Sequence, residues 1–310
     1  MSGKWIKVAA PATISNIGPG FDIFGMALQE PFDIIEGRKI DKGVVITKMT
    51  GPGADTLPTD PKKNSVGIAA SAVLDKCGAD FGIELKIKKG IRPCSGIGSS
   101  GASAAGGAYV AHLMTGEKLT NSQVIMCAAM AEDVTSGGLH ADNVAPCILG
   151  GFTMIRSYEP FEVIRIEPPK DLGVVVAMPD VLVSTKEARA VLPTEVPVKK
   201  LVFHAGNASC LAYGMSIGDI DLIGRSVKDA VFEPARTHLV PHLKEAEAVA
   251  MSLGAKASFL GGSGPCVISF FNISMHNGEI IAEGIKNMYA EKGMKCDTWV
   301  TGWGQGCRRL

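Results

Sequence analysis

The segment Pro93-Cys-Ser-Gly-Ile-Gly-Ser-Ser-Gly-Ala-Ser103 carries the clearest chemistry in this 310-residue chain. Its glycines let the backbone approach a ligand and turn N–H groups toward it. A small-residue helix expected from Ser100 to Leu113 adds its positive N-terminal end, so the segment suits an anion such as a triphosphate. The adjacent hydroxyls Ser99 and Ser100 supply an oxygen ligand for magnesium. Three competing readings are weaker. Gly96-x-Gly98-x-x-Gly101 also fits the dinucleotide fingerprint, but a second helix follows where a parallel strand is required, and Asn121 stands where an acid is needed. The Gly-Lys pair of a Walker loop occurs only at Gly3-Lys4, and Trp5 follows it. A purely structural bend that packs a helix on a sheet uses none of the hydroxyls. No G-x-S-x-G elbow is present, so a serine hydrolase has no support.

The elements that position this loop follow from periodicity. Trp5 to Ala10 reads as a strand, Pro11 to Gly20 as a loop, and Asp22 to Glu36 and Val44 to Met49 as extended chain. Val66, Ala69, Ala70, Val73 and Leu74 have helical spacing, with Asn64 or Ser65 as N-cap. Phe81 to Ile91 alternates as a half-exposed strand leading into the loop. A second helix, Ser122 to Val134, precedes the polar segment Ser136 to Pro146, and Phe152 to Arg156 with Phe161 to Ile166 forms a hairpin.

Beyond Pro168-Pro169 the order changes. A strand, Leu172 to Met178, is followed by helical segments at 185–192, 198–215, 217–231 and 241–253. Two strands (257–260 and 266–271), a helix (278–291) and a last strand (296–300) complete the frame. Reduced to essentials this is βαββαβ, the split βαβ pattern, with extra helices in its first crossover. The expected organisation is α+β in two domains, 1–168 and 169–310.

Composition removes several function classes. With 31 Lys+Arg against 31 Asp+Glu there is no global basic excess for nucleic acid. Eight scattered cysteines form no C-x-x-C pair, so a zinc site is not expected and reduced thiols are. No run approaches the roughly 18 apolar residues of a membrane span, and the start has no signal-peptide apolar region. A soluble, cytoplasmic protein is expected. Of the 37 glycines, 16 cluster in four segments, at 18–25, 90–107, 137–151 and 261–264, which fits close backbone approach to ligands.

Pro93-x-x-x-Gly-Ile-Gly-Ser-Ser100 resembles the phosphate loop of the galactokinase, homoserine kinase, mevalonate kinase and phosphomevalonate kinase superfamily, whose usual form is P-x-x-x-G-L-G-S-S-A. Ile97 replaces the usual Leu and Gly101 the usual Ala. Two further segments are similar to that superfamily's other motifs: Pro11-Ala-Thr-Ile-Ser-Asn-Ile-Gly-Pro-Gly-Phe-Asp22 and Gly261-Gly-Ser-Gly-Pro265. Within it, Ser15-Asn-Ile-Gly-Pro-Gly-Phe-Asp22, Leu139-His-Ala-Asp-Asn-Val-Ala-Pro146, Thr185-Lys-Glu-Ala-Arg189 and Glu233-Pro-Ala-Arg236 resemble the homoserine kinases.

The resemblance implies an N-terminal domain like the second domain of ribosomal protein S5, a ferredoxin-like C-terminal domain, and ATP-dependent phosphorylation of L-homoserine in threonine biosynthesis. It implies nucleotide contacts from Asn64, Val66, Pro93, Ser95, Gly96, Ile97, Gly98, Ser99, Ser100 and Ser103, and magnesium held by Ser100 and Glu132. Glu132 falls near a helix C-terminus, where an acid without a cation is poorly placed. Asn16, Asp22, His140, Asn143, Arg189 and Arg236 are implied as substrate contacts, with Asn16, His140, Ser100 and Glu132 at the reacting groups. Arg189 and Arg236 have the forked geometry a carboxylate needs. Away from the resemblance, each of these residues reads as a solvated helix face or a loop side chain. No general base is implied. A homodimer is expected from exposed sheet edges. Mevalonate and shikimate kinases also meet a carboxylate, and a non-catalytic metabolite sensor would keep the fold; the His140-Ala-Asp-Asn143 segment favours homoserine.

Overall fold

A computed structural model describes residues 3–136 and 138–310, the side chains of Thr135 and Ser136 excepted. Gly137, part of the polar segment noted above, lies outside the described residues.

The first sheet is built from β1 (Ile6–Ser15), β2 (Phe24–Ile40), β3 (Val44–Thr50), β4 (Gly82–Lys88), β5 (Phe152–Tyr158) and β6 (Phe161–Ile166). An edge strand from the C-terminal tail, β11 (Arg308–Arg309), pairs with Val8 and Ala9. The main order is β11-β1-β2-β4-β3, with the β5–β6 hairpin joined to β2. Helices α1 (Ser65–Cys77), α2 (Ser99–Met114) and α3 (Asn121–Ser136) pack together, with α2 laid on β1 and β2. The core accounts for α2's composition: Ala102, Ala104, Ala105, Ala108 and Ala111 are fully buried, and small side chains let the helix lie close to the sheet.

Two elements of this half differ from the sequence expectation. Pro11 lies inside β1, at a register shift between Pro11 and Thr13, where β11 has already ended and one edge of β1 is free. β4 alternates as expected, with Ile83, Leu85 and Ile87 buried and Lys86 and Lys88 half-buried and exposed; Glu84 is the one charged side chain on that outer face that is buried, held by Arg38 and Thr47. Val144–Leu149, for which the sequence suggested no helix, forms the short helix α4 at the end of the polar segment.

The second sheet holds β7 (Leu172–Pro179), β8 (Ala257–Leu260), β9 (Val267–Asn272) and β10 (Cys296–Gly302), all antiparallel in the order β10-β7-β9-β8. The crossover from β7 to β8 carries α5 (Thr185–Ala190), α6 (Val198–Ile217), α7 (Ile220–Ser226), α8 (Phe232–Arg236) and α9 (Leu243–Ser252). The helix expected over 217–231 is only the shorter α7, because Asp229 accepts the N–H groups of Val231, Phe232 and Glu233 and turns the chain into α8. Helix α10 (Gly278–Glu291) closes the βαββαβ frame. Among the described residues no helix is long and apolar enough to cross a membrane.

Candidate active site

The glycine-rich loop leaves β4 and enters α2 through left-handed backbone at Cys94 (φ 56°), Gly96 (φ 81°) and Gly98 (φ 66°). A side chain at Gly98 would put Cβ 2.1 Å from Thr13 Oγ1, so only glycine lets the loop sit against β1. A Cβ at Gly96 would meet the carbonyl of Gly264 at 2.8 Å, so the loop also packs on the β8–β9 turn. Between these glycines the Ile97 side chain is buried in the core and its carbonyl accepts the Thr13 N–H at 3.2 Å. The loop is therefore pinned while the first turn of α2 points its free N–H groups into the cleft. Ser95 Oγ is buried with no hydrogen-bond partner among the described residues, and Ser95 lines neither cavity beside the loop.

A buried ion pair lies under this turn. Lys89 Nζ donates to Asp33, to Ser103 Oγ (2.8 Å) and to the Ser99 carbonyl (3.2 Å). The other Asp33 oxygen accepts the N–H groups of Gly90 and Ile91 at 2.9 and 3.1 Å. The pair thus ties both ends of the loop to β2. Sequence reasoning missed it, since Asp33 lies within β2 and Lys89 just after β4, 56 positions apart, with only ordinary alternation around them.

Ser100 Oγ donates to Glu132 Oε1 at 2.6 Å, and Ser65 Oγ lies 3.1 Å from Ser100 Oγ. Helix packing brings them together: Ser100 starts α2, Glu132 lies in the last turns of α3, and Ser65 starts α1. Burial pushes the Glu132 carboxyl up, while the Ser100 hydrogen bond and the Lys89 charge pull it down. A buried carboxylate beside a hydroxyl is an oxygen-only donor pair suited to magnesium. Among the described residues no group of three or more His, Cys, Asp or Glu side chains could hold a metal. An ion here would therefore share its coordination with phosphate and water, as magnesium does.

Next to this pair opens a pocket of ≈ 110 Å³ lined by Asn16, Asp22, His140, Asn143, Arg189 and Arg236. Asn16 and Asp22 both have left-handed backbone, φ 57° and 58°. Asn16 Oδ1 accepts the Asp22 N–H at 2.9 Å, and its Nδ2 donates to the Gly262 carbonyl at 3.1 Å. Asp22 is thereby held facing Arg189, whose Nη2 lies 3.0 Å from Oδ1 and whose Nη1 lies 3.3 Å from Oδ2. His140 Nδ1 is 3.4 Å from Arg189 Nη2 and 3.8 Å from Asp22 Oδ1. Burial lowers the His140 pKa more than Asp22 raises it, so the imidazole is neutral at pH 7.

Arg236 is only 4% exposed, and Nε and Nη1 donate to the Ala188 and Gly262 carbonyls at 3.0 and 3.2 Å. Burial and the neighbouring Arg189 lower its pKa, although a guanidinium stays charged. Both guanidiniums lie over the Phe21 ring, Arg189 at 5.4 Å and Arg236 at 5.2 Å, and Phe21 stacks on Phe232 at 4.0 Å. Phe21 therefore holds the two cations on one plane; its place one residue before Asp22 was the only sequence signal for it.

Asp142, also missed, lines the same pocket and is 3% exposed. Burial first, then the Asp22 charge, pushes its carboxyl up to about 7.

The expected residues divide by position. A second, larger cleft of ≈ 980 Å³ adjoins the pocket and is lined by Asn64, Pro93, Ser99, Ser100, Ser103 and Lys89. Asn64 caps α1 by accepting the Val66 N–H at 3.0 Å and donates to the Pro58 carbonyl at 2.8 Å. Val66 itself is 1% exposed in the core and does not reach the cleft. Asn143 lines the pocket, but its carboxamide accepts from Thr13 Oγ1 (2.8 Å) and donates to Ser15 Oγ (3.0 Å), binding α4 to β1.

Two family models match the chain: the GHMP kinases N terminal domain over residues 64–151 and the GHMP kinases C terminal domain over residues 209–290. The chain is 39% identical over 305 residues to a homoserine kinase of Methanococcus maripaludis, covering 98% of each. It is 37% identical to a homoserine kinase of Pyrococcus abyssi, covering 97% of this chain and 98% of the relative. The crystal structure of homoserine kinase from Cytophaga hutchinsonii superposes with a TM-score of 0.92 at 35% identity, covering 99% of this chain and 97% of that one. A mevalonate kinase from L. major shares the fold alone, with a TM-score of 0.71 at 16% identity. The chain belongs to the homoserine kinase family of the GHMP kinases.

Proposed function

We propose that this protein transfers the γ-phosphoryl group of ATP to the hydroxyl of L-homoserine, giving O-phospho-L-homoserine for threonine synthesis. The observation that carries the substrate is the pocket's charge pattern. Asp22 and Arg189 form an ion pair at a cavity wall, and the buried cation Arg236 donates to the Ala188 and Gly262 carbonyls and forms no ion pair among the described residues. A zwitterion satisfies all three: its ammonium replaces Arg189 at Asp22, and its carboxylate neutralises Arg189 and Arg236. A hydroxy acid without an amino group would leave Asp22 uncompensated.

The triphosphate is read onto the N–H groups of the loop and the first turn of α2, with the base in the larger cleft toward Asn64, while the Ser99 hydroxyl donates to the Ile91 carbonyl at 3.0 Å and steadies the turn. Magnesium fits Ser100 and Glu132, where it would neutralise charge on the β- and γ-phosphates. Phosphoryl transfer then needs positioning above all. The Asp22 and Arg236 anchors fix the amino-acid end, so the hydroxyl is directed toward Ser100. Neutral His140, whose Nδ1 faces Arg189, keeps its other ring nitrogen as a donor and places no further positive charge among the anchors. No side chain is assigned the hydroxyl proton, which leaves on the transferred phosphoryl group. Residues 1–168 and 169–310 are read as the two domains, with the C-terminal tail returning to the first sheet through β11.

A cytoplasmic homodimer is part of this reading. Exposed Leu201, Val202 and Phe203 on α6 offer a second copy an apolar surface, and sedimentation velocity measures the association. The test of function is incubation of the protein with Mg-ATP and a panel of hydroxy and amino-alcohol compounds, with product read by phosphorus NMR. O-phosphohomoserine is expected; much faster turnover of another alcohol would overturn the substrate.

A further inference from the structure

Two thiols that phosphoryl transfer does not use face each other at the base of α4. Cys147 lies within α4 and Cys307 in the C-terminal tail, 160 positions later, with their sulfurs 3.9 Å apart and both residues buried. Their backbones are already joined, since the Cys307 N–H donates to the Cys147 carbonyl at 2.6 Å. Standard bond lengths then keep the two Cα atoms within about 6.5 Å, inside the span of ordinary disulfides, about 4.4–6.8 Å. Closing the sulfurs to about 2 Å requires a shift that side-chain rotation can supply.

We propose that Cys147 and Cys307 form an intrachain disulfide site that, once oxidised, staples the C-terminal tail to α4. The oxidant is a hydroperoxide. The Cys307 sulfur attacks the peroxide oxygen, an alcohol leaves, and a sulfenic acid remains on Cys307. The Cys147 sulfur then attacks the Cys307 sulfur, the S–S bond forms and water leaves. Two thiols lose two electrons and two protons, and the hydroperoxide is reduced to alcohol and water.

The order of events follows from position. Cys147 is fully buried and donates to the Pro11 carbonyl at 3.2 Å, and burial raises its pKa well above the ordinary thiol value, so it is the poorer first nucleophile. Cys307 adjoins β11, a two-residue strand held by the pairs Val8–Arg309 and Ala9–Arg308 and by the Leu310 N–H on the Lys7 carbonyl. So short a terminal strand opens locally at small cost, exposing Cys307 and returning it to Cys147. The bond would close a loop of 160 positions, and long loops gain the most from cross-linking.

The test uses the full chain treated with hydrogen peroxide under native conditions, then peptide mapping without reductant. The expected result is a 2 Da loss with the 147 and 307 peptides linked, reversal by dithiothreitol, and Tm higher by roughly 5–10 °C than in the reduced protein. The same treatment of Cys307→Ser should give no link at Cys147 and no Tm gain. Oxidation confined to the exposed Cys94 and Cys210, or a pairing that omits Cys147, would overturn the site. A 147–307 link without a rise in Tm would overturn the staple.

Discussion

Arg189 closes on Asp22 with both arms of its guanidinium, Nη2 at 3.0 Å from Oδ1 and Nη1 at 3.3 Å from Oδ2, beside a second guanidinium that has no carboxylate of its own. The pair keeps each charge compensated while the pocket is open. It also matches a ligand carrying one ammonium and one carboxylate, which can take a place on each side. Phe21 supports this arrangement by lying within 5.4 Å of both guanidinium carbons.

The first prediction concerns that ammonium. Asp22→Asn removes the charge but keeps an acceptor, so the KM for homoserine should rise about 30-fold or more, in line with about 2–5 kcal/mol for truncating one side of a buried charge pair. The ratio of homoserine to 4-hydroxybutyrate turnover should collapse with it. A variant that kept the wild-type ratio would show that Asp22 does not read the amino group.

Arg236→Ala should raise the KM for homoserine while leaving the KM for ATP within a few-fold, as steady-state kinetics with each substrate varied would show. Arg236→Lys should not rescue it. One ammonium cannot reproduce the planar fork that donates to the Ala188 and Gly262 carbonyls and also faces the pocket.

Glu132→Gln should lower kcat by about 10²–10³-fold and raise the magnesium concentration needed for half-maximal rate. Glu132 stands in helix α3 with its carboxyl on Ser100, so circular dichroism should be unchanged. Loss of ATP binding without any change in magnesium dependence would contradict the metal role.

The phosphate loop should also lose its footing when Lys89 is removed. Lys89→Met leaves Asp33 buried without a counter-charge and should cost about 3–5 kcal/mol in urea unfolding. Lys89→Met combined with Asp33→Asn should recover most of that loss, because the carboxamide oxygen placed at position 33 would still accept the N–H groups of Gly90 and Ile91. Failure of the double variant to recover would mean the charge is not what the loop depends on.

The parts of this site that the sequence revealed are those whose chemistry is local. Asn64 before an apolar helical period marked the start of α1, and the spacing of Gly96, Gly98, Ser99 and Ser100 marked an anion loop. The hidden parts depend on distant partners. Pro11 argued for a loop, yet β1 accommodates it because β11, far along the chain at Arg308–Arg309, covers only Val8 and Ala9. Val66 had the right neighbours for a nucleotide pocket, but helical periodicity turns its side chain into the core. Phe21 acquires its role only when Arg189 of α5 and Arg236 and Phe232 of α8 close over its ring, Lys89 only when β2 and α2 bring Asp33, Ser99 and Ser103 to it, and Asp142 only when the fold buries it near Asp22.

Asp142 gives the last prediction, on pH and stability. Its carboxyl is pushed from an ordinary value near 3.8 up to about 7, mainly by burial and then by the Asp22 charge. The folded state therefore binds a proton between about pH 4 and 7 that the unfolded chain has released, so this group makes stability fall as pH rises across that window. Above pH 7 the folded protein carries a buried carboxylate at a cost on the order of 4 kcal/mol. Asp142→Asn removes the titration, so at pH 8 the ligand-free variant should unfold at higher urea than wild type. The two should converge below about pH 3, where Asp142 is protonated in both the folded and the unfolded chain. The other titratable and charged groups around the pocket, Asp22, His140, Glu132, Arg189 and Arg236, remain in both proteins, so the difference between the two urea midpoints reports Asp142 together with its coupling to Asp22 and Glu132. Equal midpoints at pH 8 would mean that the Asp142 carboxylate is compensated in the folded state.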